Sequence, residues 1–379
     1  MSRVLFLSGE YPPMRGGIGD YTARLRASLA ETGWESWVLT SAAARGEDRQ
    51  VLPWVERWDW SLAGQVREVA AEIGAELIHL QYQAGAFAMH PALNLLPLAL
   101  ARRGGPPLVT TFHDLLPPYL FPKAGRLRGG AIQLLARGSR ALVVTNEADR
   151  RRLARSRRLA RRLARIPIGS NLPEAPPRDR AATRERLGIP PGPALGFFGF
   201  LTADKGFELL LAAIHRLPEP RPALVVLGGG LGATDAANGP YLTQLLAAQQ
   251  HGEDRVIWTG HLPPAEAAAA LAALDLVVLP FARGASLRRG TLIAALRAGL
   301  PVITTDPAPG ESLEPFAGGR SLWLVPQHDP DALASAIRTL LADDVLRERL
   351  GRQAREESAP FDWREIAARH VALYERLPR

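Results

Sequence analysis

Short, continuous apolar runs alternate along the whole chain with stretches whose apolar residues recur at helical spacing. Runs of the first kind read as buried strands and stretches of the second kind as amphipathic helices. In the first half the strands are RVLFLS (3–8), ESWVLTS (35–41), ELIHLQY (76–82), PLVTTF (107–112) and ALVVTN (141–146). Helices are predicted over 20–33, with Asp20 as N-cap and Gly33 as stop, around 60–72, over 90–103, over 125–138 and over an arginine-rich stretch, 150–165. In the second half the strands are 194–199, 223–230, 255–260, 276–281, 301–305 and 321–326. Helices over 205–217, 241–252, 263–275, 286–299 and 329–343 fall between and after them, and an amphipathic helix over 362–377 closes the chain.

Strands that are apolar throughout are covered on both faces, and regular β–α alternation implies parallel sheets. The predicted fold class is therefore α/β, with two Rossmann-like, doubly wound parallel-sheet domains. Residues 1–172 form the first and 191–360 the second, joined by a linker over 173–190 and followed by a closing helix in 361–379. The linker lies within a segment, 171–193, that holds six prolines. Ligands of such sheets bind beyond the carboxyl ends of the strands, so the expected site is a cleft onto which the strand-end loops of both domains face.

Composition narrows the functional classes. No window approaches 18 uninterrupted apolar residues, and the opening MSRVLFLSGEYPP reads as a strand and not a secretory leader, so a cytoplasmic protein is expected. There is no cysteine, which excludes disulfides, thiolate metal ligands and cysteine nucleophiles. The net charge of +8 comes almost wholly from arginine, with Lys123 and Lys205 the two lysines. Nine arginines fall within 150–165. That stretch is either a solvated helix face or a patch for anionic lipid headgroups or an acidic acceptor, which would place the protein at the inner membrane face. Aromatic residues are not interleaved with the basic ones, so nucleic acid is not an expected partner.

The loops after the strands carry the candidate chemistry. RGGIGD (15–20) offers Gly16 and Gly17, where backbone can approach a phosphate or sugar. It is not the G-x-G-x-x-G fingerprint and no acidic residue ends the following strand, so a nicotinamide enzyme is not expected. LGGGLG (227–232), with Gly229, is a second such loop. TFHD places His113 and Asp114 just after a strand, as site residues or as satisfied structural ones. Lys205 stands at a helix start, where its charge opposes the helix dipole unless an anion is bound. ASLRRGT (285–291) sets Ser286, Leu287, Arg288, Arg289, Gly290 and Thr291 at another helix start, a natural anion site.

The chain resembles family 4 glycosyltransferases of the GT-B fold, on GGIGDYT (16–22), TFHD (111–114), GFFGFLTADKGFELLLAAI (196–214), RVIWTGHLP (255–263), DLVVLP (275–280), AALRAGLPVITT (294–305) and FDWREIA (361–367). The resemblance implies a retaining, metal-independent transfer of a sugar from a nucleotide-diphosphate sugar to an acceptor hydroxyl, with no further cofactor. It implies a donor diphosphate at the 286–291 helix start, a nucleobase near His261 and Leu262, and a closing helix that packs on the first domain. Asp20, Tyr21, Gln81, Tyr82 and Asp114 line the acceptor side, and a lipid-linked acceptor is one expectation.

The chain also departs from that pattern. The family's two glutamates across the phosphate helix align with Ser286 and Ala294, and its arginine after the glycine aligns with Phe200. Lys205 remains of the usual phosphate pair. Either Arg288 or Arg289 restores the missing charge, which makes Lys205, His113 and Arg288 the catalytic candidates, or donor chemistry has been lost and the protein is a non-catalytic sugar-binding or partner protein. An epimerase on this fold would need carboxylate acid/base residues that the sequence does not show.

Overall fold

The computed structural model describes residues 2–101, 104–115, 127–175, 179–229, 243 and 256–377. The chain forms two compact units, residues 1–168 with 363–379, and residues 169–362.

The first unit runs β1 (Arg3–Ser8), α1 (Gly17–Ala30), β2 (Glu35–Ser41), β3 (Val51–Val55), α2 (Leu62–Glu72), β4 (Leu77–Tyr82), α3 (Ala92–Ala101), β5 (Leu108–Phe112), α4 (Leu127–Gly138), β6 (Ala141–Val144), α5 (Glu147–Ala154), α6 (Arg157–Ala160) and β7 (Leu163–Arg165). Its seven strands are parallel in the order β3-β2-β1-β4-β5-β6-β7. Successive side chains of a strand point to opposite faces, and both faces are covered. Leu5 and Leu7 lie in one core with Val66, Leu96 and Leu135, while Val4 and Phe6 lie in the other with Tyr21, Leu25 and Ile366. This is why the strands read as unbroken apolar runs.

The second unit runs α7 (Arg180–Arg186), β8 (Ala194–Gly199), α8 (Phe207–Ile214), β9 (Ala223–Gly228), β10 (Val256–Gly260), α9 (Pro264–Ala272), β11 (Leu276–Leu279), α10 (Gly290–Arg297), β12 (Val302–Thr305), β13 (Trp323–Val325), α11 (Pro330–Ala342) and α12 (Asp344–Glu357). Six parallel strands lie in the order β10-β9-β8-β11-β12-β13. The closing helix α13 (Trp363–Glu375) belongs to the first unit. There it packs on α1, and His79 Nδ1 on β4 meets Tyr374 Oη on α13 at 2.6 Å.

The α/β architecture with two parallel sheets agrees with the pattern of the sequence, and several elements differ. Helix α1 begins at Gly17 with Gly16 as N-cap, so Asp20 sits inside its first turn and is not the cap. The arginine-rich stretch is two short helices and an edge strand, because Ser156 starts a new helix and Leu163–Arg165 pairs with β6. Strand β3 and helix α12 escaped the periodicity reading. The linker segment stays with the second unit: Arg180 and Arg184 on α7 pair with Asp275 at 2.5 and 3.2 Å, and Arg186 with Glu266 at 3.0 Å. The helix expected over 241–252 lies outside the described residues. Among the described residues no helix is long and apolar enough to cross a membrane.

Candidate active site

In the second unit a group of charged side chains, Lys205, Asp204 and Arg289, lies beyond the carboxyl ends of β8 and β11. Strand β8 ends on Gly199, with φ of 119°. A Cβ there would crowd Thr291 Cγ2 and lie 3.5 Å from Lys205 Nζ. A 3-10 turn, Ala203–Lys205, follows. Gly206, with φ of 69°, then passes so close to the Pro280 carbonyl that any side chain would strike main chain. Lys205 is thus one residue before the cap of α8, not in its first turn, and its side chain reaches across to the start of α10. Its Nζ donates to Thr291 Oγ1 at 3.2 Å and stands 5.2 Å from the centroid of the Phe281 ring. The Arg289 guanidinium lies over the same ring at 5.1 Å. Two cations therefore share one aromatic ring.

Arg289 is the N-cap of α10 and its side chain makes no capping bond. The first N–H groups of that helix have no side-chain cap, and the helix dipole favours an anion there. Local charge is partly balanced: Asp204 pairs with Arg289 and, at 3.6 Å, with Arg283. Arg288 turns elsewhere. It donates to Glu311 at 2.7 Å, and Ser286 Oγ donates to the other oxygen of Glu311 at 3.2 Å. The two consecutive arginines diverge, since both precede the helix and Arg289 is extended (φ −89°, ψ 99°), and Arg289 is the one beside Lys205.

The remaining expected donor residues play smaller parts. Leu287 is buried in the core and presents no side chain. Gly229 donates its N–H to the Gly199 carbonyl at 3.1 Å, and a Cβ there would lie a tight 3.2 Å from both Trp258 and Val226. Its place is to close the ends of β8 and β9. Gly290 opens α10. His261 is exposed and Leu262 half-buried, just after β10.

The first unit differs more from expectation. Glu10, 2 % exposed, accepts from the N–H groups of Ile18 and Gly19 at 2.9 and 3.2 Å with one carboxylate oxygen. The anion at the start of α1 is therefore part of the chain itself, and a Cβ on Gly16 would occupy the place of that carboxylate and displace it. Gly17 has open space around it. Tyr82 is fully buried among the apolar side chains under α2–α4, with its ring 5.3 Å from Phe112, and does not line an acceptor site. Gln81 and Tyr82 are neighbours on one strand, so they face opposite sides of the sheet.

Gln81 and His113 face the side of α1 and α13. The β4–β5 register places Gln81 opposite Thr111. His113 follows at the end of β5, donating its N–H to the Tyr82 carbonyl at 3.0 Å. Its ring meets Gln81 Oε1 through Nε2 at 2.9 Å and stands edge-on to Tyr21, centroids 4.8 Å apart. Tyr21 is itself buried, between His113, Trp363 and His370, so it packs against these rings and does not project to the surface. Burial, with a lesser push from His370, lowers the His113 pKa to about 3. Such a ring is neutral at physiological pH and a poor general base. Asp20 is exposed, and Asp114 half-buried beside His113.

Comparison with known proteins bears on this arrangement. Residues 15–172 match the model described as Glycosyltransferase Family 4, and residues 192–343 match Glycosyl transferases group 1. The chain belongs to glycosyltransferase family 4. D-inositol 3-phosphate glycosyltransferase of Corynebacterium jeikeium (strain K411) is 34% identical over 226 residues, covering 56% of this chain and 51% of that protein. The protein of that name from Arthrobacter sp. (strain FB24) is 27% identical over 413 residues, covering 98% and 94%. The chain spans about half the length of most of the curated relatives it matches. Among solved structures, sucrose-phosphate synthase from Thermosynechococcus elongatus superposes with a TM-score of 0.78 at 22% identity over 100% and 99% of the two chains. Anabaena HepE in complex with UDP-glucose gives 0.77 at 21%, covering 100% of each. These two likenesses establish the GT-B fold.

Sequence reasoning missed Asp204, Phe281, Glu311 and Glu10. Phe281 carried a faint signal, an aromatic at a strand end. The three carboxylates carried none, since nothing local distinguishes a paired acid from a solvated one.

Proposed function

We propose that this family 4 member transfers a sugar, with retention, from a nucleotide-diphosphate sugar to an acceptor hydroxyl. The observation that carries the reading is Lys205, held at 3.2 Å from Thr291 Oγ1 at the uncapped start of α10. An ammonium beside free helix N–H groups suits a diphosphate leaving group, whose developing charge is what such a catalyst must stabilise. In this reading Lys205 and Arg289 carry that role in place of a metal ion, Phe281 spaces them, and Arg288 serves the site through Glu311 and Ser286. His113 holds a hydroxyl without taking its proton. The acceptor belongs to the Gln81–His113 side of the first unit, and the arginines of 150–165 suit an acceptor held at an anionic membrane face, inside the cell.

The test is a panel of nucleotide sugars assayed for transfer and hydrolysis, with donor binding by calorimetry at fixed salt. Lys205→Ala removes one charge-assisted contact, roughly 1.5–3 kcal/mol of donor affinity, and most of the turnover. Arg289→Gln weakens binding more than Arg288→Gln. Wild-type rates and affinity in Lys205→Ala would refute this assignment. Binding of a donor without any transfer would favour the non-catalytic reading, which the loss of carboxylates at Ser286 and Ala294 supports.

A further inference from the structure

Strands β4 and β5 carry a polar column through an otherwise apolar sheet. Residues two apart on a strand share a face, so His79 and Gln81 on β4 stand beside Thr111 and His113 at the end of β5. The contacts run in that order: His79 Nε2 meets Thr111 Oγ1 at 2.7 Å, and His113 Nε2 meets Gln81 Oε1 at 2.9 Å. His79 is tied from its other ring nitrogen to Tyr374 of α13 at 2.6 Å. Gln81 is completely buried, and its amide nitrogen has no hydrogen-bond partner among the described residues. A buried amide donor left unpaired loses its hydration without replacement, so Gln81 is a poor choice for stability alone. An apolar residue would have packed on this face without that cost.

A carboxamide oxygen can only accept. The imidazole nitrogen facing it must therefore carry the proton, which leaves the other ring nitrogen, Nδ1, with its lone pair. We propose that Gln81 is a positioning residue that fixes His113 in the Nε2–H tautomer, so that Nδ1 accepts a hydrogen bond from a substrate hydroxyl. The T-shaped contact with Tyr21 fixes the plane of the ring, and Gln81 fixes which of its two edges accepts. The ligand class is a neutral hydroxyl of a sugar or polyol, because a lone pair on an uncharged ring repels a carboxylate or phosphate oxygen. The hydroxyl's role rests on the transferase reading above, whereas the tautomer does not.

Two readouts separate these parts. Long-range proton–nitrogen NMR of the full chain reports the tautomer directly, with the His113→Gln spectrum identifying the resonances. In the wild type Nε2 is protonated and Nδ1 is not, unchanged from about pH 6.5 to 8. Gln81→Met, of similar length but without an acceptor, gives a mixed or inverted tautomer and lowers kcat/KM for transfer at least roughly tenfold, about the worth of one hydrogen bond. Gln81→Glu keeps an acceptor in place and so keeps the tautomer. Its carboxylate raises the His113 pKa, and a new titration appears in both the ring shifts and the pH–rate profile. An Nδ1–H tautomer in the wild type, or an unaltered tautomer in Gln81→Met, overturns the proposal. So does a shifted tautomer with unchanged kcat/KM. A wild-type protein with the expected tautomer but no transfer from any nucleotide sugar removes the hydroxyl's role as a transfer substrate and leaves the tautomer lock standing.

Discussion

Mild acid should unfold the first unit selectively. Three histidines are held there in neutral form, His79 and His370 fully buried and His113 largely so. Desolvation lowers His113 to about 3 and His370 to about 4, and it lowers His79 well below its ordinary 6.5, with the neighbouring histidines adding to the shift. Each ring is also hydrogen-bonded: His79 to Tyr374 and Thr111, His370 to the Ile366 carbonyl, which offsets part of its shift, and to Tyr21, and His113 to Gln81. The unfolded chain takes up these protons near pH 6.5, and the folded one does so only near 3 at His113, near 4 at His370 and well below 6.5 at His79. The stability contribution is thus complete above pH 6.5 and is lost as pH falls toward the folded values. The loss is about 1.4 kcal/mol per pH unit for each histidine, so about 2 kcal/mol each at pH 5 and about 6 kcal/mol for the three. Unfolded carboxylates titrate near 4, so the span from 6.5 to 5 reports mainly histidine. Because the chain has two units, amide hydrogen exchange of peptides from β4 and α13, corrected for intrinsic rates, is the appropriate assay. His370→Gln should flatten the pH slope by one proton while leaving those of His79 and His113. A drop below about 2 kcal/mol between pH 7.5 and 5, or an unaltered slope in His370→Gln, would refute the reasoning.

Gly206→Ala combines a left-handed backbone with a collision against the Pro280 carbonyl. It should cost the second unit about 2 kcal/mol or more in denaturant unfolding and weaken donor binding through misplacement of Lys205. Gly16→Ala should displace the Glu10 carboxylate and strand the Ile18 and Gly19 N–H groups. The expected cost is about 1–3 kcal/mol, and wild-type exchange rates in α1 would count against it. Eight of the nine arginines in 150–165 are exposed, and each near an anionic surface contributes about 1 kcal/mol. Sedimentation with liposomes should therefore depend on anionic lipid and fall with salt, and equal recovery with neutral liposomes would return the segment to an ordinary solvated surface.

Much of this protein was legible in its consecutive residues. Periodicity is a local property, so LVVLP and VITT announced buried parallel strands. The glycine loop after 223–228 read as a place of close backbone approach, and Gly229 there has a φ of 60° and donates its N–H to the Gly199 carbonyl. Strand alternation also separates Gln81 from Tyr82, a distinction that the expectation of both at the acceptor side overlooked. The tertiary structure alone decided which charges meet. Arg288 and Glu311 are 23 residues apart and Arg289 and Asp204 are 85 apart, and no spacing rule connects such pairs. The arginine-rich stretch has helical composition throughout, yet its last residues pair with β6 because a sheet edge offers hydrogen bonds that a lone helix turn does not. Glu10 reads as one acid in a loop until the fold sets it against the first N–H groups of α1. Helix propensity and apolar spacing act within a few residues, whereas the partner of a buried charge is chosen by whichever distant group the packed chain brings within reach.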